Sequence, residues 1–343
     1  MTRKHITIIL IMVIIQLPLI QESSGQDIHF SQFNNAPLNL NPANTGFFLG
    51  TSRVVLNHRN QWSSVTIPYS TFSAGIDMQV FKRKFFQDIF GAGIVINRDK
   101  AGDSEFGTTQ ANLSFSYIKA LNRKNNHFVS VGVQTGIAQR SINYSQLVFD
   151  NQYNGDLYDP NLYHGEQFSR DNFWFADISA GMHWYYQAEN RLNFNAGIGG
   201  FHLNTPKQSL FNDGDVNLDS KLIIYGNSQS ELSNKMDLLP GFMLAFQGPY
   251  TEIIYGTQIK FILDKNKYYY SAINAGIYIR HNDAVIALLG LDYRKFSIGL
   301  SYDVNISGLK AASNYMGGFE ISAIYIFNKS KNQKIKEVPC PIF

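Results

Sequence analysis

Three observations predict an all-β fold, a transmembrane antiparallel β-barrel of about 14 strands with an N-terminal extended arm. The first is period-two alternation. In 296–306 the even positions are Phe296, Ile298, Leu300, Tyr302, Val304 and Ile306, and the odd ones are Ser297, Gly299, Ser301, Asp303 and Asn305. Such a segment has one dry face and one wet face. The second is length, since most alternating segments run about 9 to 14 residues, enough to cross a bilayer when tilted. The third is the sorting of connections along the chain. Odd-numbered ones include the long stretches 140–172, 204–220, 306–315 and 98–107, whereas even-numbered ones include the tight 188–190, 264–266 and 293–294. Long loops on one side and short turns on the other are the habit of outer-membrane barrels.

Taken in order, the chain opens on Arg3, Lys4 and His5, an apolar run over 6–20, and the small residues Ser23 and Gly25. This is the pattern of an export signal cleaved after about Gly25, and Pro18 with the polar residues from Gln21 argues against a retained membrane helix. Residues 26–47 form an arm, periplasmic or lumenal, that precedes the barrel over 48–327. The strands fall at 51–59, 68–81, 89–98, 107–120, 127–139, 173–187, 191–203, 221–231, 236–247, 251–263, 267–280, 284–292, 295–305 and 316–327. A basic tail over 328–343, with Lys329, Lys331, Lys334 and Lys336, is expected in the periplasm. Alternation alone also fits a soluble β-sandwich. Leader, strand length and loop sorting together favour the membrane.

Composition agrees. Charged residues make up 16% of the 343 and aromatics 14%, with 19 Tyr, 26 Phe and 27 Gly. Soluble domains carry about a quarter charged residues, whereas a lipid-facing belt with aromatic girdles shows this bias. A net charge of +3 is too small to imply nucleic acid, and the single Cys340 excludes an internal disulfide.

Chemistry is sparse. Asp27, His29 and Ser31 lie two apart in an arm, which does not hold nucleophile, base and orienter in register, so no catalytic residue is assigned. The histidines are scattered without zinc-ligand spacing, and Asp150, Asp156, Asp159 and Asp171 do not make a calcium loop. No metal, cofactor or small-molecule substrate is expected. His58, Arg59 and Trp62 are expected at the outer interface, and Trp174, Trp184, Tyr185 and Tyr186 likewise on strand six. The bland reading of the arm is a polar segment against the barrel's inner wall or mouth, anchored by Phe30, Phe33 and Leu38 and held extended by Pro37 and Pro42.

The arm also carries a motif: Asp27, His29, Phe30, Ser31, Gln32 and Phe33, then Pro37, Leu38, Asn41, Pro42 and Ala43. It resembles the opening signature of the PorP/SprF family of type IX secretion outer-membrane proteins. The likeness continues through Asn57, Arg59, Asn60, Gln61 and Trp62, through Phe149 to Gln152, His202 to Asn204 and Pro206, and through Gly299 to Asp303, Gly318, Glu320 and Tyr325 to Phe327. Cys340, Pro341 and Phe343 echo a common family tail. Asn35 and Thr45 depart from the usual pattern, which bears on subtype. The resemblance implies an outer-membrane protein of Bacteroidetes-type bacteria that serves type IX secretion, in some members gliding motility. It implies partners as well: outer-membrane lipid, a secreted cargo or adhesin with a type IX sorting domain, and periplasmic ring and peptidoglycan-linked components. Asp27, His29, Phe30, Ser31, Gln32, Phe33, Pro37, Asn41, Pro42, Arg59, Gln61 and Trp62 are then the candidate partner-binding residues. A general diffusion channel is the alternative, since fourteen strands can enclose a water-filled lumen. A membrane-embedded enzyme would need a positioned nucleophile and base, which nothing distinguishes.

Overall fold

The computed structural model describes residues 27–63, 67–82, 88–165, 169–210, 216–266, 269–308 and 310–328. The leader and the basic tail lie outside the described residues. Within them fourteen strands form: β1 (Ser52–Gln61), β2 (Tyr69–Lys82), β3 (Ile89–Ala101), β4 (Phe106–Ala120), β5 (His127–Ser141), β6 (Asn172–Glu189), β7 (Leu192–Phe201), β8 (Lys221–Ser233), β9 (Met236–Gln247), β10 (Tyr250–Asp264), β11 (Ser271–Arg280), β12 (Ala284–Tyr293), β13 (Phe296–Asn305) and β14 (Met316–Phe327). Each pairs antiparallel with its sequence neighbours, and β1 pairs with β14 from Ser52↔Phe327 to Gln61↔Gly318. Closure leaves the sheet no open edge.

Period-two patterning puts the water-averse atoms outside. On β13, Phe296, Leu300, Tyr302 and Val304 are exposed while Ser301, Asp303 and Asn305 are buried. On β4, Leu113 and Phe115 point out, and Asn112, Ser114 and Ser116 point in. The result inverts a soluble fold: the buried set is rich in Asn, Ser, Asp and Arg, and the exposed set in Leu, Ile, Val and Phe. No described helix is long and apolar enough to cross a membrane; the crossing elements are strands.

Connections 142–171, 202–220 and 306–315 lie at one mouth, together with the shorter 62–68, 102–105, 248–249 and 281–283. The other mouth carries only 83–88, 121–126, 190–191, 234–235, 265–270 and 294–295. One expected long connection is not one. Asn97 to Lys100 pair with Gly107 to Gln110, so β3 and β4 run on as a ribbon and leave a tight turn over 102–105. Polar residues on both faces hid this ribbon, because beyond the apolar belt a strand no longer needs a dry face.

Two further expectations are corrected. Arg59 does not sit at the outer interface. It shares the inward parity of Arg53, Val55 and Asn57 and is 1% exposed, whereas His58 takes the outward one. Tyr185 is likewise turned inward and 1% exposed, and its lipid-facing neighbours Trp184 and Tyr186 pair with Val129 and His127 beside connection 121–126, at the short-turn mouth and not the long-loop one.

Candidate functional site

The lumen is filled by the chain's own start. Residues 27–48 lie inside the barrel, and they are not extended as the prolines suggested. Two 3-10 turns, Phe33–Asn35 and Pro42–Asn44, flank one α-helical turn, Pro37–Leu40. Pro37 and Pro42 each open a turn, where a missing N–H costs nothing and the fixed φ suits helix. Asn41 caps the second, its Oδ1 accepting from Ala43 N at 2.9 Å. Coiling lets a short segment spread its polar groups round the inner wall.

The arm enters at the long-loop mouth. Asp27 Oδ2 meets His202 Nε2 at 3.1 Å and Lys221 Nζ at 3.6 Å, and both partners border connection 202–220. His202 Nδ1 is 2.9 Å from Asp177, so the imidazole bridges two carboxylates. Burial alone would lower the His202 pKa, but Asp27 and Asp177 push it up to about 9. Burial likewise would raise that of Asp27, and the charges of Lys221 and His202 instead hold it far below the usual carboxylate range. His29 goes the other way, held well below its ordinary value by burial and then by Arg59, Arg280 and Lys221. Its main-chain carbonyl accepts from Arg59 Nη1 at 2.9 Å.

Next comes the densest polar node. Ser31 N and Gln32 N donate to the two carboxylate oxygens of Glu320 at 2.8 and 3.0 Å. Ser31 Oγ lies 2.8 and 2.9 Å from the Asp303 oxygens and accepts from Arg280 Nη2 at 2.7 Å. Arg280 also pairs with Glu252 at 2.9 Å and with Asp303 at 3.0 Å, and Arg59 meets Asp303 at 2.9 Å. Every one of these groups is at most 5% exposed in its side chain, so each charge depends on its partners for solvation.

Lower down, Gln32 and Asn35 bond to Ser322, and Asn39 to Ser73 and Asn97. Asn41 Nδ2 donates to Met182 O at 2.8 Å, and Ser130 Oγ donates to Ala43 O at 2.7 Å. Asn44 Oδ1 accepts from Tyr225 at 2.9 Å and lies 2.5 Å from His183 Nδ1. At the short-turn mouth Gly46 N donates to Asp77, which also takes Arg53 at 2.8 and 3.0 Å. Gly46 has φ +69, and a Cβ there would lie 2.8 Å from the Gly91 Cα, so two glycines allow the arm to touch β3. Phe47 then closes this end against Ile89, Ile118, Phe128 and Tyr185. Phe33 and Leu40 anchor the middle among Phe201, Tyr225, Met243 and Tyr278.

Of the sequence-chosen residues, the structure gathers Asp27, His29, Phe30, Ser31, Gln32, Phe33, Pro37, Asn41, Pro42 and Arg59 in the plug and its seat. Gln61 and Trp62 stand apart at the top of β1, where Trp62 N donates to Gly317 O and its ring meets Tyr69 edge-on at 5.6 Å. Asp27 and Ser31 are claimed by different barrel partners, so they form no reacting set. Among the described residues no group of three or more His, Asp or Glu is arranged to hold a metal. Sequence reading missed Arg53, Asp77, Glu252 and Arg280, and met His202 only as part of the family likeness. The signal of the first four was present: charged residues on the inward parity of strands whose other parity is apolar.

Comparison with known proteins bears on this architecture. The profile of a family described as type IX secretion system membrane protein PorP/SprF matches residues 22–325. No curated protein matches the chain. Among solved structures, the Ralstonia pickettii toluene transporter TbuX aligns with a TM-score of 0.52 at 12% identity, over 86% of this chain and 94% of that one. The P. putida toluene transporter TodX aligns at 0.48 and 12%, over 86% and 95%, and a Pseudomonas aeruginosa FadL homologue at 0.47 and 9%, over 84% and 93%. The first of these shares the barrel fold, an outer-membrane type.

Proposed function

Because this chain belongs to the PorP/SprF family of type IX secretion system membrane proteins, we propose that it is a closed outer-membrane barrel that anchors a secreted protein at the cell surface. The supporting observation is the filled lumen. A segment held by buried charge-assisted bonds from mouth to mouth leaves the barrel to act as a rigid seat rather than a conduit. Its long loops 142–171 and 202–220, set on that seat, are the surface suited to recognising the cargo, an adhesin bearing a type IX sorting domain in this reading. Periplasmic ring and peptidoglycan-linked components would meet the short-turn mouth. Since most of the arm's motif is turned to the inner wall, its part in this reading is to keep the barrel shut and its loops in register. No catalytic step is assigned.

The test is purification of the tagged protein from native outer membrane with identification of what accompanies it. One large surface protein supports the anchor, and a lone barrel counts against it. A second reading, a channel, draws support from the recess beneath Ser31 to Asn35, lined by Asn193, Asn227, Gln229 and Asn274. Steady conductance of the intact protein in planar bilayers would favour it.

A further inference from the structure

The net charge of +3 conceals a polarity between the two mouths. At the short-turn mouth Arg123, Lys124, Lys235, Lys265, Arg294 and Lys295 are exposed, and among the described residues none of them is in an ion pair. They occupy connections 121–126, 234–235, 265–270 and 294–295. Connection 190–191 adds Arg191, engaged by Glu231 at 2.6 Å, and the sequence of 83–88 contains Arg83 and Lys84. Among the described residues, the exposed acids at this mouth are Glu189, Glu231 and Asp264. The long-loop mouth is the reverse, with Asp103, Glu105, Asp150, Asp156, Asp171 and Asp219 exposed against Arg98, Lys207 and Lys310 among the described residues.

We propose that the short-turn rim is a cationic ring that binds the phosphate-bearing headgroups of anionic phospholipid. Two features of the rim favour lipid over an acidic protein. Arg294 stands beside the aromatic belt: its guanidinium lies 4.9 Å from the Tyr269 ring centre and 5.2 Å from that of Tyr293, while Phe296, Tyr325 and Phe327 pack on one another at the adjoining strand ends. Aromatic rings of this kind sit at headgroup level, which places the adjoining cations at the phosphates. The cations are also spread over four connections around the circumference, matching an annulus of lipid better than a single protein face. Lys and Arg near a bilayer surface attract anionic lipid additively, and salt screens that attraction.

The experiment uses the full chain in liposomes with spin-labelled phosphatidylglycerol or phosphatidylcholine, reading each lipid's motion-restricted fraction by electron paramagnetic resonance. Phosphatidylglycerol should be preferred about threefold at low salt. The preference should fall toward unity in about 0.5 M NaCl, and likewise in the variant R123Q/K124Q/K235Q/K265Q/R294Q/K295Q. R123Q/K124Q alone should lose part of it, and K207Q/K310Q at the other mouth none. Heat-modifiable gel mobility establishes that each barrel is folded. No preference in the wild type, or one that survives the six substitutions in a folded barrel, overturns the proposal. So does saturable binding of polyglutamate by a protein that shows no lipid preference.

Discussion

Raising the pH should loosen the outer end of the arm. His202 lies between Asp27 and Asp177, and its pKa rises from an ordinary 6.5 to about 9. A raised folded-state value means that the stabilisation is fully present below about pH 6.5 and is lost as pH climbs through about 9. At about 1.4 kcal/mol per pKa unit the shift amounts to about 3 kcal/mol, shared between the two carboxylates. Only the Asp27 share holds the arm, and Asp27 is 28% exposed, so solvent screens part of it. That leaves about 1 to 2 kcal/mol, or roughly a five- to thirtyfold change in the docked-to-free ratio. A nitroxide on Ile28→Cys, in a Cys340→Ser background, reports that ratio as the mobile fraction of its spectrum. The mobile fraction should rise between about pH 7 and pH 10, and His202→Gln should raise it at neutral pH and flatten the response. A mobile fraction that grows as pH falls from 8 to 6, or a pH response left intact in His202→Gln, would refute the reasoning.

Other expectations concern the rest of the plug. Gly132→Val should expel the middle of the arm without unfolding the wall, because a Cβ there would lie 2.5 Å from Ala43 N and Pro42 O; the readout is new conductance in planar bilayers. Deleting 27–47 should open the lumen as well and raise conductance further, while lipid selectivity at the rim stays unchanged. Arg280→Met strands Glu252 as a buried charge and leaves Asp303 to Arg59 alone, and should cost about 3 to 5 kcal/mol, read as a lower midpoint in urea unfolding. Phe47→Ala removes the ring packed on Phe128 and Tyr185 and should cost about 3 to 5 kcal/mol by the same assay.

Much of the wall was legible because lipid imposes a strict rule. One face of each strand must be apolar over the belt, so β9 and β14 begin and end where the alternation does. Where that rule lapses, as in the β3–β4 ribbon beyond the belt, boundaries slipped. The arm was legible as a motif but not as a shape. Pro37 and Pro42 are compatible with extended chain and with a helical first turn, and only the partners decide between them: Asn41 reaching Met182, Thr45 reaching Ser114. Those partners lie far away in sequence. The same holds for Arg59, whose parity could be read from Val54 and Leu56 but whose pairing with Asp303 could not.

That separation reaches into assembly. Ser31 bonds to Glu320 across 289 residues and Asn41 to Met182 across 141. Neither bond can form within a hairpin, and the first needs both ends of the wall together. The arm precedes β1, the strand that must finally join β14, so the seam closes around a segment that already touches both of its sides. Loop-closure entropy is what a fourteen-stranded ring must overcome last. An internal mandrel that grips β14 through Glu320 and Ser322, and leads directly into β1, shortens the effective distance between the two free strands before they zip. A chain lacking the arm would then reach the same wall more slowly, whatever it later conducts.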